Sequence, residues 1–186
     1  ELALFDREDA MTRGFARILV PTDFSPPSDA ALATAKELAA GLGASIHLVH
    51  ILEDPYAFAA YATEAYGYMP QGMKESWQRE AERHLDAQLT AEDRARFRAT
   101  AHVFFGSPAT SIVEHARDNH MDLIVMGTHG RGGVAHLLLG SVTERVVRTA
   151  GCPVLTVRGT ASARATVHAE AAGDYSTFER PNFSIR

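Results

Sequence analysis

The alternation of apolar and polar positions along the chain predicts five β-strands. Four short runs are the clearest, at residues 18–20, 46–51, 123–126 and 154–157. Three of these runs are almost wholly apolar instead of alternating, which is typical of strands buried on both faces of a parallel sheet. A fifth and weaker run, at residues 102–105, is better suited to an edge strand.

Helical spacing fills the gaps between these runs. Apolar residues recur every three or four positions in residues 31–42, and every fourth position in the charged stretch 74–98. Another helix is expected to begin at Ser107 and Pro108, because proline suits the first turn of a helix. The last helix covers residues 142–150. The pattern therefore predicts one helix in each gap between strands.

The predicted order of elements is β-α-β-α-β-α-β-α-β, which indicates the α/β class. Strands that alternate with helices through right-handed connections form a parallel sheet with helices on both faces. In such doubly wound sheets, ligands bind beyond the carboxyl ends of the strands, where the strand order reverses. The candidate binding positions therefore follow Val20, Val49 and Met126.

Two stretches fall outside this predicted core. Residues 54–70 form a Tyr-rich insert in which Tyr residues are interspersed with small residues. A loop of that length is usually a lid, a contact surface or mobile. The tail, residues 159–186, has no clear period and is expected to be disordered, with packing on a partner subunit as the alternative. We expect an N-terminal extension at 1–12, one domain at 13–158 and this tail.

Composition narrows the class of partner. The chain has 186 residues, 46% of them hydrophobic and 22% charged, with a net charge of −5. A nucleic-acid partner would favour a basic face, so none is expected, whereas a small anionic ligand needs only a few local dipoles. No apolar run approaches the ~20 residues that cross a bilayer, and no signal peptide is recognisable, so no membrane contact and a cytoplasmic location are expected.

A glycine-rich segment follows the fourth predicted strand and carries the candidate chemistry. Gly127 and Gly130 allow sharp turns and a close approach to a ligand. Gly140 and Ser141 precede the last helix, whose unpaired N–H groups and positive dipole end attract an anion. Two such corners, separated by nine residues, could hold a triphosphate from two sides.

Plainer interpretations of this segment are also open. Ser141 and Glu144 have the spacing of a capping box, in which the serine only satisfies its own helix. Glycines after a strand are ordinary turn residues. The segment lacks the Gly-Lys-Ser/Thr of a Walker A loop and the spacing of the dinucleotide Gly-x-Gly-x-x-Gly. Taken alone, it favours neither interpretation.

The spacing Gly127-x2-Gly130-x9-Gly140-Ser141 resembles the ATP-binding signature of the universal stress protein family. Residues 18–25 resemble that family's opening motif, residues 47–53 its second strand, and residues 151–157 its last strand. The similarity covers roughly residues 13–158. The order and spacing of the four motifs together are far more specific than any one of them.

The resemblance implies a Rossmann-like, five-stranded parallel sheet of order 3-2-1-4-5 and usually a homodimer. By position, the end of the first strand would border the adenosine, Ile51 would contact the adenine, and the glycine segment would hold the phosphates. Some family members lack these glycines and do not bind ATP; here each glycine is in place, which favours binding. The expected nucleotide contacts are Pro21, Thr22, Asp23, Ile51, Met126, Gly127, Thr128, His129, Gly130, Arg131, Gly140, Ser141 and Val142.

Some side chains in this set have competing roles. Asp23 can simply build the turn before a helix, although its place at the end of the first strand favours a ligand. Backbone contacts are expected to outweigh side-chain contacts at Thr128, His129 and Arg131. No metal site is expected among the remaining histidines, since His47 and His50 lie on opposite faces of one strand. Any metal would be Mg²⁺ carried in by the nucleotide.

The leading hypothesis is an ATP-binding regulatory protein of stress physiology, in which nucleotide occupancy biases two states of a dimer. A slow ATPase or a nucleotidyl-transferring enzyme on the same fold is the alternative. Binding is favoured over catalysis, because the glycine segment has no Lys and Asp23 is the only candidate for positioning a nucleophile. No catalytic residue is therefore predicted. The last strand, residues 153–157, is expected to pair across the dimer, because an exposed edge must be covered.

Overall fold

The chain folds as an alternation of parallel strands and helices. The computed structural model describes residues 14–53, 72–128 and 139–159. The elements, in chain order, are β1 (Arg17–Pro21), α1 (Pro26–Leu42), β2 (Ser45–Leu52), α2 (Met73–Ala87), α3 (Ala91–Phe97), β3 (Thr100–Phe105), α4 (Pro108–Asp118), β4 (Leu123–Gly127), α5 (Ser141–Thr149) and β5 (Val154–Val157).

The five strands form one sheet of order β3-β2-β1-β4-β5, as expected. All pairs are parallel, with Ile18 opposite both Ile46 on β2 and Leu123 on β4. The chain builds the sheet outward from β1 in one direction and then returns to continue from β1 in the other. The strand order therefore reverses between β1 and β4. The weak run at 102–105 belongs to an edge strand, which confirms that prediction.

Both faces of the sheet are covered, which explains why the central strands are apolar at successive positions. On one face, Ile18 and Val20 pack in a core with residues of α1, α2 and α3. On the other, Leu19 and Ile124 pack in a second core with residues of α4 and α5. Neighbouring residues of a strand point to opposite faces, so burial of both faces removes the alternation of a half-exposed strand.

The single helix expected across residues 74–98 is wrong, because the structure forms two helices there. Thr90 begins α3 with a capping box: its Oγ1 accepts from the Asp93 N–H at 3.1 Å, and Asp93 Oδ2 accepts from the Thr90 N–H at 2.9 Å. Leu89 lies between the two helices and is still buried. The apolar period therefore continues across a break that the capping residues create.

Several expectations fall on residues outside the described ranges. The predicted extension, the Tyr-rich insert and nearly all of the tail lie in residues 1–13, 54–71 and 160–186, and the glycine segment falls partly in 129–138. The proposed division of the chain into these parts stays a prediction. None of the described helices is long and apolar enough to cross a membrane.

Candidate functional site

The candidate site lies at the carboxyl edge of the sheet, around the reversal of strand order. The carboxyl ends of β1, β2 and β4 meet there because these strands are parallel neighbours. The edge carries ten of the thirteen expected contacts: Pro21, Thr22, Asp23, Ile51, Met126, Gly127, Thr128, Gly140, Ser141 and Val142. His129, Gly130 and Arg131 lie outside the described residues.

Hydrogen bonds tie the end of β4 to the start of α5. The Gly140 N–H donates to the Thr128 carbonyl at 2.7 Å, and the Thr128 N–H donates to the Val157 carbonyl at 2.9 Å. Thr143 Oγ1 donates to the Gly127 carbonyl at 2.9 Å. The two ends of the glycine segment, Thr128 and Gly140, are therefore direct neighbours, and the amino terminus of α5 is fixed beside β4.

The capping-box interpretation of Ser141 is wrong. The residue that precedes the helix is Gly140, at φ −71° and ψ 155°, and Ser141 is the first helical residue. A glycine has no side chain to accept from the first N–H groups of α5, so its position leaves them for another acceptor. Glu144 does not serve as that acceptor, since its carboxylate pairs with Arg148 at 3.3 Å.

The sharp turn expected at Gly127 is absent, and its contact with a ligand stays a prediction. Gly127 is the last residue of β4, and positive φ among the described glycines is confined to Gly43, Gly72 and Gly106. A Cβ atom at Gly127 would lie 2.9 Å from the carbonyl carbon and the Cβ of Pro27. The glycine therefore allows the first turn of α1 to pack directly on β4, rather than a sharp turn of its own backbone.

The loop after β1 is held by a cluster of hydrogen bonds, here called the loop cluster, formed by Thr22, Asp23, Phe24, Ser25, Ser28 and His50. Ser28 Oγ donates to the Ser25 carbonyl at 2.8 Å, so Thr22 Oγ1 must donate to Ser28 Oγ at 3.0 Å. Thr22 Oγ1 accepts in turn from the Phe24 N–H at 3.1 Å. The donor and the acceptor of each of these three hydrogen bonds are therefore fixed.

Asp23 builds the turn before α1, as the plainer interpretation expected. Its Oδ1 accepts from the Ser25 N–H at 3.2 Å and from Ser25 Oγ at 2.5 Å. Burial raises the pKa of the nearby Asp29 carboxyl, and the charge of Asp23 raises it further. The carboxyl groups of Asp23 and Asp29 therefore lie near each other at this edge, which favours a nucleoside over a phosphate. Contact of Asp23 with a ligand stays a prediction.

Two residues at this edge were missed by the sequence reasoning. His50 donates from Nδ1 to the Thr22 carbonyl at 2.8 Å, and its ring packs on Phe24 with centroids 4.4 Å apart. Phe24 has a φ of 62°, in the left-handed region that a bulky residue rarely adopts. The only sequence signal for Phe24 was an aromatic residue directly after Asp23. Periodicity could not have shown its positive φ.

A group of histidines lies on the opposite face of the sheet and is here called the histidine patch: His47, His102 and His115. The rings of His47 and His102 each lie 6.2 Å from that of His115, measured between centroids. The contacts of His47 with α4 and of His50 with Phe24 confirm that these two histidines face opposite sides of β2. Within the described residues, no group of three or more His, Cys, Asp or Glu is arranged to hold a metal ion.

Two imidazoles of the histidine patch, those of His47 and His115, are held towards the neutral form. Burial lowers the pKa of His47, and the neighbouring charges of His102 and Arg17 lower it further. Burial also lowers the pKa of His115, followed by the charges of His47 and His102, while Asp118 opposes the shift. Sequence reasoning did not bring these three residues together, because they come from two strands and a helix.

Comparison with known proteins agrees with this architecture. The family profile described as the Universal stress protein family matches residues 14–158. Universal stress protein MJ0531 of Methanocaldococcus jannaschii is 32% identical over 144 residues, which cover 77% of this chain and 82% of that protein. The solved structure of MJ0577, a universal stress protein of the same organism, has a TM-score of 0.67 at 28% identity, covering 81% of this chain and 100% of its own. A universal stress protein solved in complex with cAMP has a TM-score of 0.52 at 26% identity, covering 80% and 100%. The chain therefore belongs to the universal stress protein family.

Proposed function

We propose that this universal stress protein binds an adenine nucleotide, ATP in the first place, at the carboxyl edge of its sheet. The observation that carries the proposal is the meeting of three parts at the reversal of strand order: the loop after β1, the end of β4 and the start of α5. In doubly wound sheets, this crevice is where ligands bind. Nucleotide occupancy would then bias two states of a regulatory protein.

The phosphates would lie at the amino terminus of α5. Gly140 precedes that helix without a side chain, and the nine residues of α5 are long enough to build a dipole. The glycine-rich segment that begins at Gly127 would supply further backbone N–H groups. Phosphate binding through backbone N–H groups needs no lysine.

The adenosine would lie between the loop after β1 and the end of β2. The acidic Asp23 repels a phosphate but accepts hydrogen bonds from ribose hydroxyls. Ile51 is half-buried at the end of β2 and would offer the adenine an apolar contact. The relative solved with cAMP carries an adenosine and a single phosphate, which supports an adenine nucleotide as the ligand class. Mg²⁺ would enter with a triphosphate, through the phosphate oxygens.

A matched pair of glycine variants tests the proposal. Gly140 and Gly151 flank the two ends of α5, and neither has a positive φ. A valine at 140 suits the backbone there but places a branched side chain at the expected phosphates. We expect Gly140→Val to weaken ATP binding at least about tenfold in calorimetry, ~1.4 kcal/mol, and Gly151→Val to leave it unchanged. Equal affinity in both folded variants would contradict the assignment of the phosphates.

The same preparation separates binding from catalysis. Nucleotide extracted from the purified protein identifies the resident ligand. Titrations of ATP, ADP and AMP, with and without Mg²⁺, then show how much each phosphate contributes to affinity. A binding protein would release no more than one phosphate per site. Release over many turnovers would favour the slow ATPase instead.

We also propose a homodimer that pairs through β5 and its flanking residues, 153–157. The described sheet ends at β5, where Leu155 is 38% exposed, and Val147 on the nearby α5 is 44% exposed. An exposed apolar edge strand is usually covered by another chain. Leu155→Lys should give a monomer in light scattering, whereas Leu42→Lys, at an exposed leucine on α1, should not. A wild-type monomer at micromolar concentration would refute the dimer.

A further inference from the structure

The residue that starts the loop after β1 is held by β2 from both sides of its backbone. The Thr22 N–H donates to the Val49 carbonyl at 2.9 Å, and the Thr22 carbonyl accepts from His50 Nδ1 at 2.8 Å. Val49 and His50 are consecutive residues of β2, so one short stretch of that strand holds the two peptide groups on either side of the Thr22 Cα atom. A side chain thus provides the second bond, just beyond the last residue of β1.

The bond between His50 and Thr22 also fixes the imidazole. A carbonyl oxygen can only accept, so Nδ1 of His50 must carry the proton. His50 is 9% exposed, and its ring lies against Phe24 with an interplanar angle of 40°. The donor therefore has little freedom to leave the Thr22 carbonyl for water.

Phe24 contributes backbone strain that the surrounding contacts must hold. A bulky residue at a φ of 62° is unfavourable, and such conformations persist only where the surroundings determine them. The ring of Phe24 lies between His50 and His84 of α2, with the His84 centroid 5.9 Å away. The Phe24 N–H is held by Thr22 Oγ1 at 3.1 Å. Ring packing and hydrogen bonding thus meet at one strained residue.

We propose that His50 and Phe24 are positioning residues that hold the loop after β1 in the shape in which Asp23 meets the nucleoside. Asp23 lies between Thr22, which His50 fixes, and Phe24, which the two rings fix. The inference rests on the proposed nucleotide site and names the residues that set one half of it. His84 extends the same contacts to α2, where its Nε2 lies 3.1 Å from Glu80 Oε1.

The first test measures the loop without any nucleotide. His50→Leu removes the hydrogen-bond donor and still fills the space beside Phe24. His50→Asn keeps an N–H group near the position of Nδ1. Hydrogen exchange of the Phe24 and Ser25 amides should become at least about tenfold faster in His50→Leu and should be largely restored in His50→Asn. The Ser45 amide, which donates to Ala16 at the other end of the β1–β2 pair, serves as the internal control.

The second test uses ligands of different length. His50→Leu should weaken adenosine, AMP and ATP by the same factor, about tenfold, because the loop would meet only the part they share. Gly140→Val should weaken ATP and leave adenosine unchanged. Phe24→Gly removes both strain and ring, so it should reproduce the adenosine defect while the protein stays folded. Because a general loss of stability would also weaken all three ligands equally, the exchange of the loop amides, measured against the Ser45 amide, decides between the two causes.

His47→Leu is the matched control, because it changes a histidine of the same strand on the opposite face. It should leave both the loop amides and adenosine affinity at wild-type values. Unchanged exchange at Phe24 and Ser25 in His50→Leu would overturn the positioning role, whatever the protein binds. If the wild type binds neither adenosine nor ATP, the proposed function fails and the role in holding a nucleoside fails with it. Equal adenosine affinity in wild type and His50→Leu, with ATP still bound, would overturn the inference alone.

Discussion

The two faces of β2 treat histidine in opposite ways. On one face, His50 belongs to the loop cluster, where its Nδ1 donates to the Thr22 carbonyl and its ring packs on Phe24. On the other face, in the histidine patch, His47 Nδ1 and His115 Nε2 are buried without a hydrogen-bond partner within the described residues, as is Thr100 Oγ1 beside them. The two histidines of the strand are three residues apart, yet Nδ1 is hydrogen-bonded in His50 and has no partner among the described residues in His47.

This difference indicates how much each region depends on its exact side chains. Removing one partner of a buried hydrogen bond leaves the other unsatisfied, which costs about 1–3 kcal/mol, whereas removing an atom that has no partner loses nothing of that kind. The loop cluster should therefore be intolerant of substitution and the histidine patch tolerant. A ligand-binding loop needs the first property, because its shape must exist before the ligand arrives.

The largest effect is expected at Gly127, where the first turn of α1 packs on β4 directly behind the loop cluster. A side chain there would overlap the backbone of Pro27, at 2.9 Å from its carbonyl carbon. We expect Gly127→Val to lower the free energy of unfolding by about 3 kcal/mol, measured by urea denaturation. Gly151→Val, where a Cβ would have nothing within 4 Å, should stay within about 0.5 kcal/mol. Similar values for the two variants would show that this region is not tightly packed.

The next effect is expected at His50. In His50→Leu, the Thr22 carbonyl loses its donor and Phe24 loses a ring contact. The free energy of unfolding should fall by about 2 kcal/mol. His50→Asn should recover part of this loss, since its amide can donate to the same carbonyl. A loss below about 0.5 kcal/mol for His50→Leu would remove the contrast between the two faces.

A smaller change, of the opposite sign or near zero, is expected at His47. His47→Leu replaces a half-buried imidazole whose Nδ1 has no partner among the described residues. The free energy of unfolding should stay equal or rise by up to about 1 kcal/mol, because desolvation of an unsatisfied atom is avoided. The measurement is the same urea denaturation, at a pH above 7, where the lowered pKa of His47 keeps its imidazole neutral. A loss as large as that of His50→Leu would mean that the patch has a structural role.

The smallest effect is the pH dependence of the histidine patch. The pKa values of His47 and His115 are lowered from 6.5, so between pH 6.5 and their folded values the unfolded chain binds more protons. Their stabilisation is therefore complete above pH 6.5 and is lost as the pH falls through the folded pKa values. His102 and Arg17 strengthen this effect, and Asp118 opposes it.

Denaturation between pH 7.5 and 5.5 checks this sign. The wild type should lose more stability over that interval than a variant carrying His47→Leu and His115→Leu. The difference isolates His47 and His115 from the other titrating groups, which both proteins share. Equal losses would show that these imidazoles titrate alike in the folded and unfolded chains.

Much of the architecture was predictable from local pattern. The central strands were recognisable because burial on both faces leaves continuous apolar runs, and the resemblance to the universal stress protein family implied the order in which those strands meet. The break at Leu89 was not predictable from periodicity, because that residue is buried in phase with the helices on either side. The role of Ser141 was misjudged for a related reason: a capping box depends on which residue precedes the helix, and that residue is Gly140.

By itself, the sequence determined the class of fold and the family of the chain and indicated the edge of the sheet where a ligand is expected, because these follow from period, spacing and order along the chain. Only the tertiary structure decided which side chains act together. Gly127 makes room for Pro27, a residue one hundred positions earlier, and His50 donates a hydrogen bond to Thr22, which follows the neighbouring strand. The sequence places His47 and His50 on opposite faces of one strand but does not say which of them is hydrogen-bonded. A hydrogen bond depends on which atoms the fold brings within about 3 Å, and local pattern carries no information about that.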